Sequence, residues 1–102
     1  NKEAMQDSFK KTKIEKLAML LKAVLAAEGK VGIMLNVKEA DLQNILDKLP
    51  ALERPTVSHL AEEGWCALNA IVDEYVVRDL VPDLIAAGAH GIVEYPLNKL
   101  VM

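Results

Sequence analysis

The hydrophobic pattern between Lys30 and Leu97 changes its period several times, and this restricts the possible folds more than any other feature of the sequence. A period of two residues predicts a strand, whereas a period near 3.6 predicts a helix. The strand-like segments are Lys30–Val37, Arg54–Ala61, Trp65–Asp73 and His90–Leu97, and the helix-like segments are Lys38–Leu49 and Val76–Ala87. The predicted order of elements is therefore β-α-β-β-α-β.

A further helix precedes these elements. Apolar residues recur at helical spacing from Ile14 to Leu25, and Gly29 is a suitable residue to end the helix. With right-handed crossovers, the elements that follow build an α+β domain of the ferredoxin-like type, a four-stranded antiparallel sheet with two helices on one face. We therefore predict an N-terminal helix over residues 1–29 and a ferredoxin-like domain over residues 30–102.

The segment from Trp65 to Val72 is apolar at both parities of the predicted strand. An antiparallel sheet with helices on one side normally presents a polar face to water. The chain is also 52% hydrophobic, which is more apolar surface than a small monomer usually buries. We therefore expect the N-terminal helix, another subunit, or both to cover the second face of the sheet.

Charge and cysteine content narrow the possible partners. The net charge is −3, and acidic residues outnumber basic ones after residue 30, which argues against nucleic acid. No segment has the length and apolarity of a transmembrane helix, so no membrane partner is expected. Cys66 is the only cysteine, so we expect neither a disulfide framework nor a cysteine-based metal site within one chain, and a reducing cytoplasm fits.

The sequence carries none of the common catalytic motifs. Neither glycine-rich turn matches a phosphate-binding loop, and neither His59 nor His90 has the context of a catalytic triad. His90 and Glu94 would lie about 13 Å apart along a strand, which is too far for a shared metal ion. We predict that this chain contains no catalytic residue, no metal site and no cofactor.

The segment Leu52–Leu60, followed by Trp65, is the one candidate for a ligand site. Pro55 prevents a helix there, so Thr56 and Ser58 offer their hydroxyl groups from an extended strand with aliphatic neighbours. A small ligand such as an amino acid requires this mixture of directional polar contacts and apolar surface. The residues alone leave two interpretations open, a ligand site and ordinary strand packing.

Short motifs along the chain point to one known family. They are Lys16–Leu21, Met34–Val37, Leu49–Leu52, Pro55–Ser58, Gly64-Trp65, Val77–Pro82, Ala86–Ala89 and Tyr95–Lys99. In these motifs the chain resembles the C-terminal regulatory domain of the long-form ATP phosphoribosyltransferases. The resemblance covers about Lys13 to Val101, and the Pro55–Ser58 strand with the following tryptophan is its most specific part.

The resemblance implies a regulatory role. In this family the parent enzyme joins ATP and phosphoribosyl pyrophosphate, with Mg²⁺ as cofactor, in the first step of histidine biosynthesis. Catalysis belongs to preceding domains, whereas the C-terminal domain binds the feedback inhibitor L-histidine between neighbouring subunits of a cytoplasmic homo-hexamer. The first residue is Asn1 rather than methionine, so we expect a non-catalytic fragment whose residues 1–29 lead to the catalytic domains.

Transferred by motif, the resemblance assigns L-histidine contacts to Asn36, Leu52, Thr56, Ile71 and Gly91. Asn36 and Thr56 would hydrogen-bond the polar ends of the ligand, Leu52 and Ile71 would flank the imidazole, and Gly91 would allow a close backbone approach. The family commonly has an acidic residue near Asn36, so the neutral amide predicts a weaker hold on the ligand's ammonium group.

Arg54 and His59 also depart from the family pattern, which predicts a different loop shape around them. An alternative from another functional class is a stand-alone PII-like oligomeric interaction module that binds no small ligand.

Overall fold

The chain consists of two units in the computed structural model, which describes residues 1–51 and 54–102. The first unit contains Asn1–Glu28 together with Asn98–Met102, and the second contains Gly29–Leu97. None of the helices in the described residues combines the length and the apolar character needed to cross a membrane.

The first unit is built on helix α1, Lys2–Ala27. Asn1 caps its N-terminus, because the side-chain oxygen accepts a 2.9 Å hydrogen bond from the backbone N–H of Glu3. Near the other end, the backbone N–H of Leu100 donates to the carbonyl of Ala23 at 2.9 Å. Many large apolar side chains of α1 are exposed, among them Phe9, Ile14, Leu17, Leu20 and Leu21.

The second unit has the predicted β-α-β-β-α-β order. Its elements are β1 (Lys30–Lys38), a 3₁₀ turn (Glu39–Asp41), α2 (Leu42–Lys48), β2 (Thr56–His59), β3 (Trp65–Asp73), α3 (Glu74–Ala86) and β4 (His90–Pro96). The strands form one antiparallel sheet in the order β2-β3-β1-β4. The predicted ferredoxin-like α+β fold is therefore confirmed.

Three elements are shorter than the sequence predicted, and β4 is shorter only by its last residue, since it ends at Pro96 rather than Leu97. β2 begins at Thr56 rather than Arg54, and it ends at His59 rather than Ala61. At that end the chain turns back after Leu60, whose backbone N–H donates to the carbonyl of Trp65 at 3.0 Å. The first helix after β1 begins as a 3₁₀ turn, where the backbone N–H of Glu39 donates to the carbonyl of Gly64 at 2.8 Å. Backbone hydrogen bonds around the turn between β2 and β3 thus accompany the early end of β2 and the late start of α2.

The hydrophobic core lies between the sheet and the helices α2 and α3. Every second residue of β1 and β3 is buried on this side, which we call the covered face: Val31, Ile33, Leu35 and Val37 of β1, and Cys66, Leu68, Ala70 and Val72 of β3. Ile45 of α2 and Leu84 of α3 are fully buried in the same cluster. The alternation follows from the period of two residues in a strand.

The opposite side of the sheet, which we call the open face, is formed by Gly32, Met34, Asn36 and Lys38 of β1 and by Trp65, Ala67, Asn69 and Ile71 of β3. Met34 on β1 is 46% exposed, and its partner Val93 on β4 is 53% exposed. β3 therefore carries apolar side chains on both faces of the sheet, as predicted. That further protein covers the open face stays a prediction.

Tyr95 occupies the space above Gly32 on the open face. The two residues are paired across β1 and β4, and a Cβ atom on Gly32 would overlap the tyrosine ring. The Tyr95 hydroxyl then donates a 2.7 Å hydrogen bond to the side-chain oxygen of Asn69 on β3. The ring thus crosses β1 and packs where the strand has no side chain, an arrangement that compensates for glycine in a sheet.

This packing predicts that Gly32→Ala destabilises the chain. The added methyl group would displace Tyr95, and overpacking of this kind costs about 1–3 kcal/mol. We expect a lower urea midpoint with an unchanged slope in equilibrium unfolding.

The matched control is a double-mutant cycle with Tyr95→Ala, in which the methyl group meets no ring and alanine should no longer be harmful. An equal cost of Gly32→Ala with and without the tyrosine ring would contradict the packing argument.

Candidate functional site

Four of the five positions assigned to L-histidine contacts lie in the described residues, and the fifth, Leu52, lies outside them. Strand register places the side chains of Asn36, Thr56 and Ile71 on the open face: Asn36 pairs with Ala67, Thr56 with Asn69, and Ile71 with Gly32. Asn36 and Thr56 are exposed, and Ile71 is half-buried. The sheet therefore presents these side chains on one common surface.

Asn36 and Gly91 are neighbours at an irregularity between β1 and β4. Met34 pairs with Val93 and Asn36 with His90, so two residues of β4 lie opposite Leu35, as in a β-bulge. Gly91 has a φ of 59°, a conformation that glycine adopts without strain. A Cβ atom there would lie 3.8 Å from the Asn36 amide nitrogen. The bulge thus brings the backbone of Gly91 next to the Asn36 amide.

Thr56 and Ile71 form a second group on the open face. Thr56 pairs with Asn69, two residues from Ile71 on the same strand, and such diagonal neighbours lie about 7–8 Å apart. From strand spacing and rise, Asn36 lies about 12–14 Å from this second group. The predicted positions therefore form two groups along one face of the sheet.

The two hydroxyl groups of β2 also belong to the open face. Thr56 pairs with Asn69 and Ser58 pairs with Ala67, and cross-strand partners share a face of the sheet. Ser58 therefore lies in the same row across the sheet as Asn36, which also pairs with Ala67. Ser58 lies about 7 Å from Thr56 along β2 and about 10 Å from Asn36 across β3, so it lies between the two groups.

Trp65 packs against its neighbours at the same end of the open face. Its ring contacts the ring of His90 edge-on, with centroids 5.2 Å apart and planes at 72°. The ammonium nitrogen of Lys38 lies 5.7 Å from the ring centroid, within the range of a cation–π contact. The indole ring thus contacts side chains of both β1 and β4 at this end of the sheet.

Lys38 and His90 are polar groups of the open face that the sequence reasoning did not assign to the site. Lys38 has the same parity in β1 as Asn36, so the strand period could have revealed it. His90 pairs with Asn36 only because of the register shift in β4, and the sequence carried no signal for that shift. Together they add a cation and an imidazole to the end of the face where Asn36 lies.

The open face can contact a small ligand from one side only. Ligand sites usually bury about 70–90% of a bound small molecule, whereas Asn36, Thr56 and Gly91 are exposed in this chain. The available groups are an amide, a hydroxyl and aliphatic surface, with the lysine ammonium nearby. This set suits a zwitterionic organic ligand if a second surface closes over it.

Comparisons with known proteins identify close relatives. The chain is 52% identical over 102 residues to an ATP phosphoribosyltransferase of Solibacter usitatus, a match that covers 100% of the chain and 35% of the relative. An ATP phosphoribosyltransferase of Chlorobium phaeobacteroides is 52% identical over 101 residues, covering 99% of the chain and 34% of the relative. ATP phosphoribosyltransferase 1 of Geobacter sulfurreducens is 50% identical over 101 residues, covering 99% and 35%.

The chain spans about a third of the length of these curated relatives. The family described as "HisG, C-terminal domain" matches residues 27–99, which include the whole second unit. The resemblance found in the sequence motifs is thereby confirmed, and the chain belongs to the HisG C-terminal domain family.

Proposed function

We propose that this chain is the regulatory part of an ATP phosphoribosyltransferase and that it binds L-histidine as the feedback inhibitor of histidine biosynthesis. The observation that carries the proposal is the common placement of Asn36, Thr56, Ile71 and Gly91 on the exposed side of one sheet. The names of the relatives support the parent activity, since each is called an ATP phosphoribosyltransferase.

The catalytic residues of the parent protein are proposed to lie outside this chain. The relatives are about three times as long as the chain, which leaves the larger part of each for catalysis. In this arrangement residues 1–29 link the catalytic domains to the regulatory domain at residues 30–102. The protein is proposed to work in the cytoplasm. The parent protein is thus the enzyme, and the chain itself catalyses no step.

Mg²⁺, the cofactor expected for the parent reaction, does not fit the predicted ligand positions. Mg²⁺ is bound mainly by carboxylate oxygens, water and phosphate, whereas the described positions offer an amide, a hydroxyl and an aliphatic side chain. We therefore assign Mg²⁺ to the catalytic domains and derive no role for it in this chain.

A neighbouring copy of the domain would supply the second surface of the L-histidine site. Exposed apolar residues such as Met34 and Val93 surround the polar groups of the open face, which supports packing against further protein. A ligand enclosed between two copies binds only the arrangement in which they meet correctly. L-histidine would then favour that arrangement of a homo-oligomer, such as a hexamer, with a coupling free energy of about 1–3 kcal/mol.

Thr56→Val should weaken L-histidine binding. The substitution keeps the shape of the side chain but removes a hydroxyl group that would hydrogen-bond the ligand, which costs about 0.5–1.5 kcal/mol, or about 2- to 13-fold in Kd. Isothermal calorimetry of the oligomer gives the Kd, and light scattering checks that the oligomer is unchanged.

Ser58→Ala is the matched control, because Ser58 lies on the same strand and the same face but is not an assigned contact. The Kd of L-histidine for the Ser58→Ala chain should stay close to that for the unsubstituted chain. Equal losses in both variants would exclude a specific role for Thr56. No binding heat at millimolar L-histidine, with the oligomer intact, would favour the PII-like module that binds no small ligand.

Asn36→Asp should strengthen L-histidine binding. A carboxylate of almost the same shape would pair with the ligand's ammonium group, and charge-assisted hydrogen bonds are about twice as strong as neutral ones. We expect a lower Kd for L-histidine. This gain in affinity should shrink as salt is added, because dissolved ions screen the attraction between the exposed carboxylate and the ligand's ammonium group.

The control ligand is imidazolepropionate, which lacks the ammonium group and should gain nothing from the added carboxylate. An equal gain for this ligand, or an unchanged Kd for L-histidine, would contradict the assignment of Asn36 to the ammonium group.

A further inference from the structure

Glu39, His59 and Cys66 come together near the turn between β2 and β3. The His59 nitrogen Nδ1 lies 3.2 Å from a carboxylate oxygen of Glu39 and 3.9 Å from the sulfur of Cys66. The three donor atoms all lie within 4.8 Å of one another. This cluster takes no part in the proposed L-histidine site.

The backbone fixes the positions of all three residues. His59 and Cys66 are direct partners in the antiparallel pairing of β2 and β3, so their side chains share the covered face. Glu39 follows the last residue of β1, and its backbone N–H is bonded to the carbonyl of Gly64 at 2.8 Å. Sites held on paired strands keep their geometry better than sites on loops.

We propose that Glu39, His59 and Cys66 bind a divalent transition metal ion, with Zn²⁺ as the best match. Thiolate, imidazole and carboxylate are the ligands that Zn²⁺ takes in proteins, and three protein ligands leave a fourth position open. Bond lengths of about 2.0 Å to nitrogen or oxygen and 2.3 Å to sulfur place tetrahedral ligand atoms about 3.3–3.5 Å apart. The two distances to Nδ1 differ from these separations by only a few tenths of an ångström.

Burial of the three residues suits an ion that enters from one side. Cys66 is 1% exposed, whereas the side chains of His59 and Glu39 are 81% and 52% exposed. The sulfur thus lies at the bottom of the site, and the imidazole and carboxylate form its rim. The fourth position would face solvent and hold water or an external ligand.

A simpler alternative is a surface ion pair above an unrelated buried thiol. Exposed pairs contribute only about 0–1 kcal/mol to stability, so the contact between His59 and Glu39 needs no further role. The two interpretations differ in one respect, namely whether the sulfur and the imidazole bind the same ion. The experiment must therefore detect the thiolate–metal bond itself.

Titration with Co²⁺ tests the proposal on the 102-residue chain without a histidine tag. We expect a thiolate-to-cobalt charge-transfer band in the near ultraviolet, visible bands of four-coordinate intensity, one ion per chain, and displacement of Co²⁺ by Zn²⁺. Apparent affinity should increase with pH, since binding releases the thiol proton. Absence of the charge-transfer band at saturating Co²⁺ would overturn the proposal.

Variants decide which side chains bind the ion. His59→Asn leaves the thiol in place and changes only an exposed residue, and it should weaken Co²⁺ binding at least tenfold, as should Glu39→Gln. Cys66→Ala should abolish the charge-transfer band.

His90→Asn and Glu62→Gln are matched controls on the other histidine and on a nearby turn carboxylate, and both should bind Co²⁺ normally. If His59→Asn left the charge-transfer band and its Co²⁺ dependence unchanged, the ion would be bound by the thiol without the imidazole. That result would overturn the proposed site.

Discussion

The antiparallel pairing of β1 with β3 is the interaction on which the rest of the structure depends. It runs in unbroken register from Lys30 opposite Asp73 to Lys38 opposite Trp65. Because side chains alternate across a strand, this one register decides which residues of the two central strands enter the core and which stay outside. A slip of β1 by one residue against β3 would move Leu35 to the open face and bring Asn36 into the core.

The same register explains why one chain would make only part of the proposed L-histidine site. Asn36 and Ile71 lie on the open face at opposite ends of the ladder, and Thr56 lies on the neighbouring edge strand. The helices that complete the core occupy the other side, so none of the described helices and strands of the second unit closes over these groups. Closure by a neighbouring copy would make ligand binding depend on assembly, as the proposed regulatory role requires.

Prediction from sequence succeeded where a pattern is local and failed where contacts are distant. Alternation of apolar residues gave β1, β3 and the fold class, and the motif around Thr56 led to the family. The register shift that pairs His90 with Asn36 has no local signal, and the start of α2 at Leu42 depends on a bond from Glu39 to Gly64. The count of cysteines led us to expect no metal site, and that count cannot include the histidine that the β2–β3 hairpin places opposite Cys66, so the expectation and the proposed site remain to be tested against each other.

The edge strand β2 connects the two proposed sites, although they lie on opposite faces. It has only four residues, Thr56–His59, and its hydrogen bonds within the sheet go to β3 alone. Thr56 points to the open face and His59 to the covered face, because they are three residues apart in a strand. An ion bound by His59 would also hold Glu39 and Cys66, and so would tie the short edge strand to the ends of both central strands.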